Sequence, residues 1–157
     1  DVANSTEIAN AVGDRDWAVA IGKQLDLQAS EIAIHEGSLV KTLGDGSMSS
    51  FSAASGALRA AVAIQAAAAE MSDEPKLKLR VGIHAGDLIR ADGDFFGTVV
   101  NKASRITGLA KPNEILVSDV ARAMVGDRDE FEFGDPVIVA LRGIEGRHTI
   151  SDLRWNT

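Results

Sequence analysis

Five side chains in this 157-residue chain are of the types that chemistry on a nucleoside triphosphate requires. Lys41 and Asp94 supply one hydrogen-bond donor and one acceptor, the functions needed to read the edge of a base. Asp45, held between two glycines in Lys41-Thr42-Leu43-Gly44-Asp45-Gly46, offers hard oxygen atoms to a divalent cation. Asn101 and Arg105 follow Asp94-Phe95-Phe96-Gly97 closely, and a guanidinium fork beside a neutral amide suits a phosphate or a developing oxyanion.

Taken singly, each residue has an ordinary explanation. Asp45 is a turn residue, Lys41 a strand lysine whose stem lies along apolar surface, Asp94 a solvated turn acid, and Asn101 with Arg105 a solvated helix face. The helix bearing the last pair gives a sharper inference. Val99, Ala103, Ile106 and Ala110 fall on one angular stripe that must face the core, so Asn101 and Arg105, one turn apart, project together from the other side.

The elements that must position these groups alternate between helix and strand. Ser5 and Thr6 open a helical pattern. Trp17, Ile21, Leu25 and Ile32 then recur near helical spacing and predict a helix over 14–35, which Gly37 stops. Residues 38–43 and 47–52 flank Gly-Asp-Gly and predict an antiparallel hairpin. The alanine-rich, proline-free stretch 53–71 reads as a helix, and 77–85 alternates as a strand. A strand and turn over 86–93 precede the helix at 98–109. Residues 114–117 form a strand, 119–125 a short helix, and 131–133, 137–141 and 148–153 further strands. The expectation is a single α+β domain over 1–157, with a mostly antiparallel sheet covered by helices.

Composition narrows the function classes. At 157 residues with 45% hydrophobic content the chain is long enough for one domain with a real core and too short for two comfortable ones. A net charge of −7 leaves no basic excess to neutralise nucleic acid or a lipid surface, so a polyanionic ligand needs cations to help hold it. The absence of cysteine removes disulfides, zinc-thiolate sites and thiol catalysis, and is compatible with a reducing cytosol. No apolar run reaches transmembrane length.

The order Asp1-Val2-Ala3-Asn4-Ser5-Thr6, Lys41-Thr42-Leu43-Gly44-Asp45-Gly46, Arg80-Val81-Gly82-Ile83-His84-Ala85-Gly86, Asp94-Phe95-Phe96-Gly97, Val100-Asn101-Lys102-Ala103-Ser104-Arg105 and Leu141-Arg142-Gly143-Ile144 resembles the catalytic domain of class III adenylate/guanylate cyclases. The bacterial branch that includes mycobacterial enzymes is the most similar. The resemblance implies a ferredoxin-like, palm-like sheet with a strand leading into Asp1, so the chain is expected to be a trimmed catalytic fragment. It also implies that Asp1, Asp45 and the Val2 carbonyl hold two divalent cations, Mg²⁺ or Mn²⁺. By the same resemblance Lys41 and Asp94 read the purine, Asn101 orients the ribose, and Arg105 stabilises charge at the α-phosphate. Backbone donors near Ser5 and Thr6 hold the terminal phosphates. Arg142 is either a triphosphate-facing residue or a surface arginine.

Adenine supplies an independent reason for the base. It presents an acceptor at N1 and an amino donor at C6, matching an ammonium and a carboxylate, whereas guanine reverses both. The resemblance further implies a head-to-tail homodimer with shared sites, metal aspartates from one chain and purine readers with Asn101 and Arg105 from the other. The spacing agrees, because four residues of strand separate Lys41 from Asp45 by roughly 13 Å.

The implied reaction is conversion of ATP to 3′,5′-cyclic AMP and pyrophosphate, in a cytoplasmic domain whose regulatory and any anchoring segments lie outside this sequence. Two other classes stay open: a degenerate, nucleotide-binding dimerisation module, and a guanylate or diguanylate cyclase, the last lacking its Gly-Gly-Asp/Glu-Glu-Phe signature here. Asn4 stands where the family often has glycine, a departure tolerated wherever a left-handed conformation is needed, because asparagine visits it more readily than most residues. Lys102 replaces a commonly apolar residue, at the dimer interface or near phosphate. His84 is expected to be a satisfied structural residue. His35 and His148 lack metal-like spacing, and Trp17 and Trp155 fill core or interface.

Overall fold

The computed structural model describes residues 1–156. Its first three residues run extended beside a later segment. Arg80 N–H donates to the Asp1 carbonyl and Ala3 N–H to the Lys78 carbonyl, both at 2.8 Å, with Val2 opposite Leu79. Asn4 then adopts a left-handed conformation, φ 56°, and turns the chain into α1 (Ser5–Val12).

Helix α2 (Asp14–Ile34) buries Ile21 and Ile32 at the expected spacing, together with Gln24 and Gln28. Its end differs from the reading of Gly37 as the stop. Glu36 takes the left-handed position at φ 62°, and the Gly37 N–H closes back on the Ile32 carbonyl at 2.8 Å. Gly37 is needed for another reason: the Phe51 ring covers it, where a Cβ would collide.

The predicted hairpin forms as β1 (Ser38–Leu43) and β2 (Gly46–Ser50), antiparallel. Helix α3 (Ala54–Glu70) follows, its small Ala60, Ala61 and Ala68 allowing close approach to its neighbours. Strand β3 (Arg80–Ile83) is shorter than the predicted 77–85, because Leu77 and Leu79 lie in the core just ahead of it. The next hairpin comprises β4 (Ile89–Ala91) and β5 (Asp94–Phe96), the latter too short to carry a sequence signal. Then come α4 (Thr98–Leu109), β6 (Glu114–Ser118), α5 (Asp119–Val125), β7 (Val137–Leu141) and β8 (Ile144–Asp152). β8 starts earlier than predicted, since it must pair along all of β7. The strand expected at 131–133 reduces to one bridge, Phe133 to Leu153.

Four strands form one sheet in the order β3-β6-β8-β7. β3 and β6 are parallel because α4 crosses over between them, and the other two pairings are antiparallel. The fold is therefore α+β with antiparallel pairing dominant, as expected. β6 lies at its centre. Ile115 and Val117 pack with Leu58, Ala121 and Val125 of α3 and α5, whereas Leu116 packs with Ile106 of α4 and Leu141. Helices thus cover both faces, which is why this strand reads as an uninterrupted apolar run. A further core joins Val2, Ile21, Ile32, Ile64 and Leu79. Trp17 and Trp155 pack at the core margins as predicted, the Trp155 indole donating to the Asn113 carbonyl at 2.7 Å. Among the described residues, no helix is long and apolar enough to cross a membrane.

Candidate active site

The two aspartates expected to act together lie on adjoining segments. Gly46, buried at the start of β2, faces Asp1 so closely that an added Cβ would stand 2.9 Å from the Asp1 Cβ. Only glycine lets the turn bearing Asp45 approach in this way. On the other side of the turn, Ser47 Oγ donates to Oε1 of the buried Gln28 at 2.7 Å, tying β2 to α2. The Asp1 backbone nitrogen donates to the Arg80 carbonyl at 2.8 Å.

Arg80, a residue assigned no role from sequence, grips Asp1 directly. Its Nη2 lies 3.0 and 2.9 Å from the two carboxylate oxygens, and its Nε 3.2 Å from Oδ1. The only sequence signal was its place in the Arg80-Val81-Gly82 motif. Its strand is held from behind, since the buried Gln65 amide donates to the Leu79 carbonyl at 3.1 Å.

Lys41 on β1 meets Asp94 on β5, with Nζ 2.7 Å from Oδ2. The other carboxylate oxygen accepts from the Phe95 N–H at 2.7 Å. The Lys41 hydrogen bond holds the Asp94 carboxyl below the usual carboxylate range, against a smaller opposing effect of burial. The pair is therefore assembled within one chain.

Helix α4 presents Asn101 and Arg105 as exposed residues while Ile106 is fully buried, so the predicted division of its faces holds. It seats tightly on β3. A Cβ on Gly82 would stand 2.5 Å from Thr107 N and 2.9 Å from the Ala103 carbonyl oxygen. Ser5 and Thr6 open α1, whose N-cap Asn4 makes no side-chain capping bond, leaving the first-turn N–H groups to other acceptors. Arg142 is exposed in the turn between β7 and β8, after Leu141, which packs with Ile106. The Val2 carbonyl takes no part in the pairing with Lys78 and Arg80.

Thus Lys41 meets Asp94, the turn bearing Asp45 abuts Asp1, and Asn101 and Arg105 share one face. Among the described residues no three His, Cys, Asp or Glu side chains converge on a cation site. His84 is a satisfied structural residue. Its Nδ1 lies 2.7 Å from Ser118 Oγ, and burial, then the Lys102 charge, pushes it to about 4. Lys102 is half-buried and acts on His84. His35 and His148 each bond a local carbonyl, of Glu31 and Glu145.

Residues 1–152 match the family described as adenylate and guanylate cyclase catalytic domain. The chain belongs to that family.

The cyclase domain is 35% identical over 118 residues to a putative adenylate cyclase 3 of Rhizobium meliloti, covering 73% of this chain and 20% of that protein. It is 31% identical over 130 residues to an adenylate cyclase of Streptomyces coelicolor, covering 82% of this chain and 34% of that one. The chain thus spans a fifth to a third of these relatives. A solved adenylate/guanylate cyclase/hydrolase from Silicibacter pomeroyi is 30% identical with a TM-score of 0.81, covering 98% of this chain and 91% of the other. The catalytic core of a rhodopsin-guanylyl cyclase with converted specificity, solved with ATPalphaS, has a TM-score of 0.89 at 21% identity, covering 98% and 91%. That second likeness concerns the fold.

Proposed function

We propose that this domain is an adenylate cyclase, converting ATP to 3′,5′-cyclic AMP and pyrophosphate in a site shared by two copies of the chain. The observation that carries the reading is the preassembled Lys41–Asp94 pair at 2.7 Å. An ammonium donor and a carboxylate acceptor complement N1 and the C6 amino group of adenine, and both contacts are mismatched by guanine. The curated relatives named adenylate cyclases agree with this base.

In the reaction the ribose 3′-oxygen attacks the α-phosphorus, the new O–P bond closes the ring, and the bond to the β-phosphate oxygen breaks. The 3′-hydroxyl proton leaves to solvent with pyrophosphate. Asn101 orients the ribose and Arg105 stabilises charge at the α-phosphate from the same exposed face. First-turn N–H groups at Ser5 and Thr6, with Arg142, bind the β- and γ-phosphates.

Asp1, Asp45 and the Val2 carbonyl fit Mg²⁺ or Mn²⁺, hard cations bound through one or two carboxylates while substrate oxygens and water complete the shell. Two such cations, when bound, supply charge neutralisation at the triphosphate.

In the proposed sharing, one copy supplies Asp1 and Asp45 and the other supplies Lys41, Asp94, Asn101 and Arg105. Exposed Leu39 and Leu43 on β1 and Ile89 and Phe96 on the adjoining hairpin supply apolar surface for a head-to-tail homodimer. The domain works on the cytoplasmic side, under regulatory segments elsewhere in a longer chain.

Supplying Mn²⁺ with ATP or GTP to the native chain and separating the products tests this. Cyclic AMP in clear excess over cyclic GMP is expected. Nucleotide binding without product would assign a binding module, and a preference for GTP would overturn the base assignment.

A further inference from the structure

We propose that Arg80 is an exchangeable counter-ion of Asp1, competing with divalent cations for that carboxylate and so setting the metal affinity of the site. The inference rests on the reading of Asp1 as a metal ligand and adds a residue that acts through it. Arg80 engages both Asp1 oxygens, with contacts of 3.2, 3.0 and 2.9 Å. Lone pairs directed at a guanidinium are unavailable to a cation, and the guanidinium charge repels the incoming ion.

The two aspartates are consequently unequal. Among the described residues Asp45 makes no side-chain ion pair, whereas Asp1 is paired. A cation meets a free carboxylate at Asp45 and must win the one at Asp1. The contest is built into the backbone, because Arg80 N–H donates to the Asp1 carbonyl at 2.8 Å, and the Asp1 backbone nitrogen donates to the Arg80 carbonyl at the same distance. The guanidinium cannot drift far from its target. With the two side chains 28% and 33% exposed, water screens the pair only in part, yet leaves room for the exchange.

The test is titration of Mn²⁺, read as free ion by electron paramagnetic resonance without nucleotide, on the native chain and its Arg80→Gln, Arg80→Lys and Asp1→Asn variants. Circular dichroism establishes that each is folded. Arg80→Gln should bind Mn²⁺ roughly three- to tenfold more tightly than the parent. Arg80→Lys, which keeps the charge but loses the fork, should fall between. Asp1→Asn should bind more weakly. Unchanged or weaker binding in both Arg80 variants, with Asp1→Asn still weaker, overturns the exchange and leaves the metal reading standing. No effect of Asp1→Asn removes the metal reading and the exchange together. Should Arg80→Gln fail to fold, Arg80→Lys alone decides, and affinity equal to the parent overturns the proposal.

Discussion

Lys41 on β1 and Asp94 on β5 are 53 positions apart, yet their side chains meet at 2.7 Å without a second chain. Both are about a third exposed, so the pair contributes little to folding. On the proposed reading it instead offers a donor and an acceptor to a planar base.

Replacing Lys41 with Ala, or Asp94 with Ala, should therefore leave stability within about 1 kcal/mol of the parent. The ATP over GTP ratio of kcat/KM should fall by about 1–3 kcal/mol, the cost of one mismatched polar contact. Urea unfolding and paired kinetics check the two halves of this expectation. A large loss of stability with an unchanged nucleotide ratio would make the pair merely structural.

Shared sites have a stoichiometric consequence. Asp45→Ala and Arg105→Ala variants should each be inactive, but an equal mixture should recover about a quarter of parental activity, because half of the dimers are mixed and each holds one undamaged site. Subunit exchange is followed by a fluorescent label. Silence from a mixture proven to exchange would exclude the shared arrangement.

Gly82 should tolerate no side chain, since a Cβ would press on Thr107 N and the Ala103 carbonyl, both backbone atoms of α4. Gly82→Ala should cost about 1–3 kcal/mol of stability, measured by chemical denaturation. It should also lower kcat, because the helix that moves is the one carrying Asn101 and Arg105. An alanine variant with parental stability would show that α4 seats less tightly.

His84 should make stability fall in mild acid. Its folded value of about 4 lies below its ordinary 6.5, so the unfolded chain takes up a proton that the folded chain refuses. The contribution is full above 6.5, declines as the pH falls from 6.5 to 4, and is exhausted below. Solvent around this half-buried ring limits it to about 2 kcal/mol or less. His84→Gln, which keeps a polar partner for Ser118, should flatten the melting-temperature profile across that window. A variant as acid-sensitive as the parent would place the effect elsewhere.

Much of this domain was legible before any coordinates. Residues 98–109 predicted α4 because a 3.6-residue stripe and its polar counter-face are written within one segment. The short α5 at 119–125 was equally local. The family motifs also marked Lys41, Asp94, Asp45, Asn101 and Arg105 as candidates, since chemistry constrains residue type wherever the chain carries it.

Tertiary structure alone decided the rest. The grip of Arg80 on Asp1 spans 79 positions, the parallel pairing of β3 with β6 depends on where α4 crosses, and Gly37 is small because Phe51 arrives from beyond a hairpin. Sequence periodicity reports which face of a segment is apolar. Which side chain from a distant segment comes to lie against that face is fixed by strand order and register, and these are settled only when the whole core packs.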